Sequence, residues 1–306
     1  MTPNDTGQPA APDRALSGEN VDNKGYAEYI KVIVVTLLIA LVLKTFVVEA
    51  YRIPSASMEN TLLVGDFLLV NKLAYGLRTP RYVPMTNVSV PTLTVPFFGS
   101  IHREDVVVFE YPGTIEEVKP LKAVNFVKRC VGLPGDTVRI VHGRVVVNGA
   151  TVGLPQSAKP ADGLRLWSGA RRQTLFPPGL AYSEYDYGPI VVPKRGDSLH
   201  LDSDSFSRWK IFVEREGHRI HIDNDRRIFV DGKKTDTYVV ERNYYFMLGD
   251  NRDDSLDSRY WGFVPDANVI GEAILVYWSW DPAIAVGTIM TKLGSIRWNR
   301  IGTIIR

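Results

Sequence analysis

The longest apolar run lies near the start of the chain. Val32 to Leu43 is twelve residues without a charge, and after Lys44 the run resumes from Thr45 to Val48. As helix, twelve residues span about 18 Å, short of a hydrocarbon core of about 30 Å; continuing through Val48 gives about 25 Å. That suffices if the Lys44 amine snorkels to the headgroups. Tyr26, Tyr29 and Lys31 suit one interface, and Tyr51 with Arg52 the other. The pattern predicts a single-pass anchor over residues 25–49. A cleaved signal peptide fits less well, because Phe46-Val47-Val48-Glu49 is bulky where a cleavage site needs small residues. A buried core helix also fits less well, because the run is apolar all round. Charge fixes orientation only weakly: Arg14, Lys24 and Lys31 accompany five acids.

Beyond Ile53 the pattern shortens to strand length. Phe67 to Val70, Val106 to Phe109 and Asn125 to Val131 are short apolar runs bounded by turn residues. Val138 to Val141, His142-Gly143, Arg144 to Val147 and Asn148-Gly149 read as tight hairpins. Arg219 to Ile222, Asp223 to Asp225, Arg227 to Val230 and Asp231-Gly232 repeat the device. Pro80, Pro84, Pro91 and Pro96 mark residues 76–103 as an irregular loop, and Pro155, Pro160, Pro177 and Pro178 mark 154–190 likewise. The fold expected is mainly β with long excursions. After Pro282 the chain carries Lys292, Arg297, Arg300 and Arg306 among Ile296, Trp298, Ile301, Ile304 and Ile305, with no acid. It reads equally as a membrane-surface segment or as a last core helix with a basic face.

Composition narrows this picture little. Residues 1–24, rich in Pro, Gly, Asn, Asp and Ala, read as a disordered tail. Over the whole chain, 45% hydrophobic and 23% charged residues describe a folding chain. A net charge of +2 gives no argument for nucleic-acid binding. The one cysteine, Cys130, excludes an intramolecular disulfide, and no Cys/His cluster has zinc-site spacing.

Four segments carry candidate chemistry. Ile53-Pro54-Ser55-Ala56-Ser57-Met58 follows the span directly; alone, it is as compatible with a turn or helix cap. Phe126-Val127-Lys128-Arg129-Cys130-Val131-Gly132-Leu133-Pro134-Gly135-Asp136 places a lysine within a strand, where an edge strand guarding against pairing is the plain alternative. Gly249 to Gly262 is dense in charge, and Asp250, Asn251, Asp253, Asp254 and Asp257 have the composition of a calcium loop without EF-hand spacing. Arg103-Glu104-Asp105 leads into Val106 to Phe109 as a charged strand entry.

Taken together and in this order behind a span, these segments closely resemble the bacterial type I signal peptidases. The shared patterns are S-x-S-M, K-R-x-V-G-L-P-G-D and G-D-N-R-D-x-S-x-D-S-R-Y-W-G, and the match covers the anchor, 51–76, 103–112, 125–136 and 244–281. The resemblance implies a signal-peptidase-like antiparallel β catalytic domain with an inserted β-rich subdomain. It implies Ser57 as nucleophile, Lys128 as general base, and Ser55 with the Ser57 N–H as oxyanion donors. By the same carry-over Ser255 orients the lysine, Asp257 and Arg259 form a supporting ion pair, and Arg129 plays a less direct part. Ile53, Pro54, Met58, Leu62, Phe126 and Val127 match the positions lining the pockets for small substrate residues. No metal or cofactor is implied.

The chemistry suits these residue types. A serine hydroxyl needs an adjacent base, and serine–lysine pairs supply one. A lysine at its usual pKa of about 10.4 is charged at neutral pH, so burial must lower it; Val127, Val131 and Phe126 are the expected apolar surround. Some positions depart from the family pattern. Glu59 and Asn60 stand before Thr61-Leu62 where a proline is common, suggesting a less rigid turn, and Cys130 replaces a small apolar residue as a buried filler.

The organisation expected is a tail at 1–24, an anchor at 25–49, a catalytic core from 50–136 and 244–281, an insertion at 137–243 and a basic apolar segment at 282–306. The function expected is removal of signal peptides after Ala-x-Ala ends of exported preproteins. The enzyme would be a single-pass protein of the bacterial inner membrane, its catalytic domain outside the cytoplasm, in contact with lipid and taken as a monomer. Another Ser/Lys protease, such as a self-cleaving repressor, lacks the span and the Gly249–Gly262 loop. A membrane-anchored non-enzymatic β module would tolerate loss of Ser57 and Lys128.

Overall fold

The computed structural model describes residues 23–79, 94–95, 99–153, 174–284 and 289–306. The expected tail lies almost wholly outside these residues, as do Pro80, Pro84, Pro91, Pro96, Pro155 and Pro160. The chain divides into two compact units, residues 1–43 and 44–306. The first contains a helix, α1 (Asn23–Val42), continued by a π-helical turn over Leu43–Val47. Glu28–Val47 is long and apolar enough to cross a membrane, and its side chains are exposed, Leu37 at 64%.

The second unit is built on an antiparallel sheet. Its strands are β1 (Val48–Arg52), β2 (Asp66–Asn71), β3 (Val106–Glu110), β4 (Asn125–Gly132), β5 (Tyr244–Leu248), β6 (Val264–Pro265), β7 (Val269–Ser279) and β8 (Thr303–Ile304). The order is β1-β2-β7-β3-β4-β5-β6, with β8 beside β7. The apolar run that marks β3 is continuous rather than alternating because both faces of the sheet are covered, and in β4 it is broken only by Lys128 and Arg129. Val106 and Val108 enter one cluster with Ile53, Met58, Leu62 and Leu68, while Val107 and Phe109 enter another with Cys130, Met247 and Trp261. Each such side chain contributes about 1.5–3 kcal/mol by leaving water.

The expected hairpins form. Thr137–Val141 pairs with Arg144–Val147, and Ile220–Ile222 with Ile228–Val230. His142-Gly143, Asn148-Gly149 and Asp231-Gly232 all take the positive φ that two-residue hairpin turns require. The insertion is not β alone, however: α2 (Phe206–Glu216) packs Ile211, Phe212 and Val213 inward and ends at Gly217, whose φ of 107° admits the left-handed cap. The core of the insertion also runs on into the large sheet, since Val138, Ile140 and Phe212 share a cluster with Val131, Phe246 and Leu248.

The segment after Pro282 is neither a long helix nor a free surface tail where it is described. A short helix (Ile289–Gly294) leads to a 3₁₀ turn and then to β8. Its basic side chains are partly spoken for: Arg300 binds Asp66 Oδ2 at 2.5 Å and the Thr61 carbonyl at 2.9 Å, and Arg297 binds the Val64 carbonyl at 2.9 Å. The segment therefore straps the loop between β1 and β2.

Candidate active site

That loop carries Ser57. Its two ends are sewn together by Ile53 N–H to Asp66 O at 2.9 Å and Gly65 N–H to Ile53 O at 3.0 Å. Inside it, Glu59 N–H reaches Ala56 O at 2.8 Å and Leu62 N–H reaches Met58 O at 2.7 Å, winding the chain into a tight turn. Met58 and Leu62 are the buried plugs that hold the turn down. Asn60 adopts φ +76°, a conformation asparagine tolerates and proline cannot reach, so the departure at this position goes with a different turn.

Lys128 comes from the middle of β4. Opposite Val107 on the neighbouring strand, it is 3% exposed, and its Nζ donates a hydrogen bond to Ser57 Oγ. Alternation along the strand places Phe126 and Cys130 on the lysine's face, and Val127 and Val131 on the other. The clusters agree: Phe126 and Cys130 belong with Trp261, Val127 borders the Ile53 cluster, and Val131 joins the insertion. Phe126 and Cys130 thus share the lysine's face of the strand, and the two valines lie on the opposite face. The Phe126 ring centroid is 5.6 Å from Lys128 Nζ. Burial pushes the Lys128 amine down to about 8, against the opposing pull of Asp257; Arg259 lowers it further, while Asp250 and Asp254 raise it.

Two buried ion pairs frame Lys128. Arg259 grips Asp257 with Nε at 2.8 Å and Nη2 at 2.9 Å, and both residues are essentially inaccessible. Asp257 also caps α3 (Ser258–Trp261) through Arg259 N–H and accepts Gly249 N–H at 3.2 Å. Its burial favours the neutral acid, but the charge and hydrogen bonds of Arg259 outweigh this and hold its carboxyl below the usual carboxylate range. Arg129 grips Asp250 in the same two-pronged way, at 2.8 and 2.7 Å, and Thr61 donates to Asp250 at 2.7 Å. Arg129 thereby ties β4 to both the Asp250 loop and the loop that carries Ser57. Asp250 was expected only as a calcium ligand; instead it and Asp257 are each taken up by an arginine. A second acid seven residues ahead of Asp257 and a second arginine beside the lysine were the signals available for this pair.

The remaining expected residues fall as follows. Ser55 is exposed, with its Oγ 3.5 Å from Ser57 Oγ. Ser255 is buried, but its Oγ has no hydrogen-bond partner, so it does not bind Lys128 here. It lies against Gly249, where an added Cβ would strike both Ser255 Oγ and, at 2.5 Å, the Ser57 carbonyl. Ile53, Met58 and Leu62 are core residues beneath the loop, Pro54 is exposed, and Phe126 and Val127 are half-buried. Burial pushes the Cys130 thiol far up, which makes it an inert filler. A groove of about 620 Å³ lined by Val47, Val48, Leu69, Leu73 and Ile274 includes none of these residues.

Known proteins share this arrangement of sequence. A family profile described as "Signal peptidase, peptidase S26" matches residues 26–278. Signal peptidase I of Pseudomonas aeruginosa is 34% identical over 302 residues, covering 95% of this chain and 86% of that protein. Signal peptidase I of Pseudomonas fluorescens is 36% identical, covering 88% and 79% respectively. Signal peptidase I of Aquifex aeolicus is 31% identical, covering 87% and 93%. A solved signal peptidase I from Enterococcus faecalis matches with a TM-score of 0.24 at 20% identity over 56% of this chain and 96% of that one, too loosely to bear on the fold. The sequence relatives and the family profile together place the chain in the peptidase S26 signal peptidase family.

Proposed function

We infer that the chain is a signal peptidase, a serine endopeptidase that removes N-terminal signal peptides from preproteins with Ser57 as nucleophile and Lys128 as base. The observation that carries the assignment is the hydrogen bond from a buried lysine amine to Ser57 Oγ. A neutral Lys128 takes the Ser57 proton as Oγ attacks the carbonyl carbon of the scissile peptide. Ser55 Oγ and the Ser57 N–H stabilise the oxyanion. When the tetrahedral intermediate collapses, the protonated lysine gives its proton to the leaving amine. The ester left on Ser57 is then hydrolysed by a water that Lys128 deprotonates. Ser255, buried and without a partner, is assigned to steadying the amine once the Ser57 hydrogen bond is given up. Asp257–Arg259 and Arg129–Asp250 act as supports.

The substrate binds as an extended strand. β4 meets β5 only from Arg129 onward, so among the described residues Asn125 to Lys128 keep one edge without a strand neighbour, beside Ser57. Half-buried Phe126 and Val127 wall this edge beside Ser57, in keeping with small substrate side chains there. Ile53, Met58 and Leu62 form the floor, and Pro54 the rim.

The apolar α1 is assigned as a single-pass anchor in a bacterial inner membrane, with residues 50–306 outside the cytoplasm. Exposed Tyr277, Trp298 and Ile304 suit contact with the lipid surface. Purified full-length protein in detergent is expected to cleave a preprotein with an Ala-x-Ala end, and Ser57→Ala and Lys128→Met each to abolish this; cleavage retained in either variant sinks the dyad. Protease added to intact spheroplasts is expected to digest residues 50–306; protection of that region overturns the topology.

A further inference from the structure

The 14 residues from 111 to 124 connect two adjacent antiparallel strands, where two to five residues are the common length. Tyr111 N–H bonded to Val124 O at 2.8 Å closes the base of this loop. Above it the loop is held by one side chain of the insertion, Arg215 in the last turn of α2. Arg215 Nη2 donates to the carbonyls of Gly113 at 2.8 Å, Thr114 at 2.5 Å and Glu117 at 3.2 Å, and Nε donates to Glu117 O at 3.3 Å. Its Nη1 donates to the carbonyl of Trp261 at 3.0 Å. Among the described residues Arg215 forms no ion pair; this partly buried cation is held chiefly by backbone carbonyls, with the Glu117 carboxylate adding opposite charge nearby. Giving up these carbonyls would leave a partly buried charge poorly solvated, so the contacts hold together.

Those carbonyls bracket the aromatic residues beside the base. Tyr111 stacks on Phe126 with centroids 4.7 Å apart at 26°. Trp261 packs on Phe126 at 5.3 Å and on Tyr111 at 5.2 Å. Phe126 in turn covers Lys128. Arg215 therefore grips the wall from both ends, through the loop just past Tyr111 and through the Trp261 backbone.

We propose that Arg215 is a positioning residue for the Ser57–Lys128 site: from the inserted subdomain it clamps Tyr111, Phe126 and Trp261 together and so keeps water from the lysine base. The inference rests on Lys128 being that base. The groups that face Lys128 are Ser57, Asp257 and Arg259 from α3 and its cap, and Asp250 and Asp254 from the preceding loop. None of these is touched by Arg215, so its effect must travel through the wall.

The test is the pH profile of kcat/KM for full-length protein in detergent cleaving an Ala-x-Ala preprotein. Releasing the clamp admits water, returns the lysine toward its ordinary pKa and moves the acid limb upward. For Arg215→Met the limb is expected to rise by about one pH unit, with cleavage near pH 7 about tenfold lower and recovery at high pH. Arg215→Lys, with one nitrogen for four carbonyls, is expected to shift it less. Trp261→Phe, which trims the wall without altering the carbonyl that Arg215 binds, is expected to shift it the same way and serves if Arg215→Met does not fold. Limbs of the folded variants unmoved from wild type, whatever their melting temperatures, overturn the inference alone. A Lys128→Met protein that still cleaves removes the dyad and the inference together.

Discussion

Lys128 bears the main tension of this molecule. A lysine amine held near a pKa of about 8 instead of 10.5 destabilises the folded state wherever the amine is still protonated. The difference of about 2.5 units corresponds to about 3 kcal/mol, of which the hydrogen bond to Ser57 returns about 1. Because the folded pKa lies below the unfolded one, this cost is full below about pH 8, shrinks between about 8 and 10.5, and is gone above. Lys128→Met, similar in length and free of the charge, is expected to melt about 4–8 °C above wild type near pH 7, the gap closing by about pH 10.5. Thermal unfolding followed at both pH values checks this. A variant that melts at or below wild type near pH 7 contradicts a desolvated lysine. The sequence motifs pointed to Ser57 and Lys128, because each needs only residue type and order. They did not show which neighbours cover the amine, although strand alternation already separates Phe126 and Cys130 from Val127 and Val131. Nor did they show that the Ser255 hydroxyl stands without a partner, since that depends on a side-chain rotation.

At the scale of elements, legibility followed local chemistry. The hairpins around His142-Gly143, Asn148-Gly149 and Asp231-Gly232 were readable because the turns themselves demand left-handed backbone. Strand β3 was readable as an unbroken apolar run, and β4 as a shorter one interrupted by Lys128 and Arg129. The helix α2 was not. Its inward face is the contiguous Ile211-Phe212-Val213, which resembles a strand, and its Ser205 N-cap makes no side-chain hydrogen bond to the helix. The isoleucines and basic residues after Pro282 suit a membrane surface and a core helix alike. The segment's strapping role depends on Asp66 and the carbonyls of Thr61 and Val64, more than two hundred residues away in the chain. Pairings at such separation leave no local trace. The same holds for Arg215, whose partners are backbone carbonyls and carry no residue type at all.

In the whole molecule, three distant stretches converge on one point. The loop after β1 supplies Ser57, the centre of β4 supplies Lys128, and the Gly249–Gly262 loop supplies Asp250, Ser255, Asp257 and Arg259. Arg129–Asp250 joins all three, because Thr61 of the nucleophile's loop shares that carboxylate. The sheet makes the convergence rigid, and the two ion pairs make it polar without wetting it. The proposed mechanism then depends on one protonation state, a neutral Lys128 amine touching the Ser57 hydroxyl. The most direct measurement is kcat/KM of the wild-type enzyme on an Ala-x-Ala preprotein as a function of pH. The rate is expected to rise with pH through an apparent pKa of about 8, the value set by burial of Lys128. A limb at about 10.4 would mean a solvated lysine, and cleavage unaffected by pH from about 5 to 9 would mean that no such base exists; either contradicts the account.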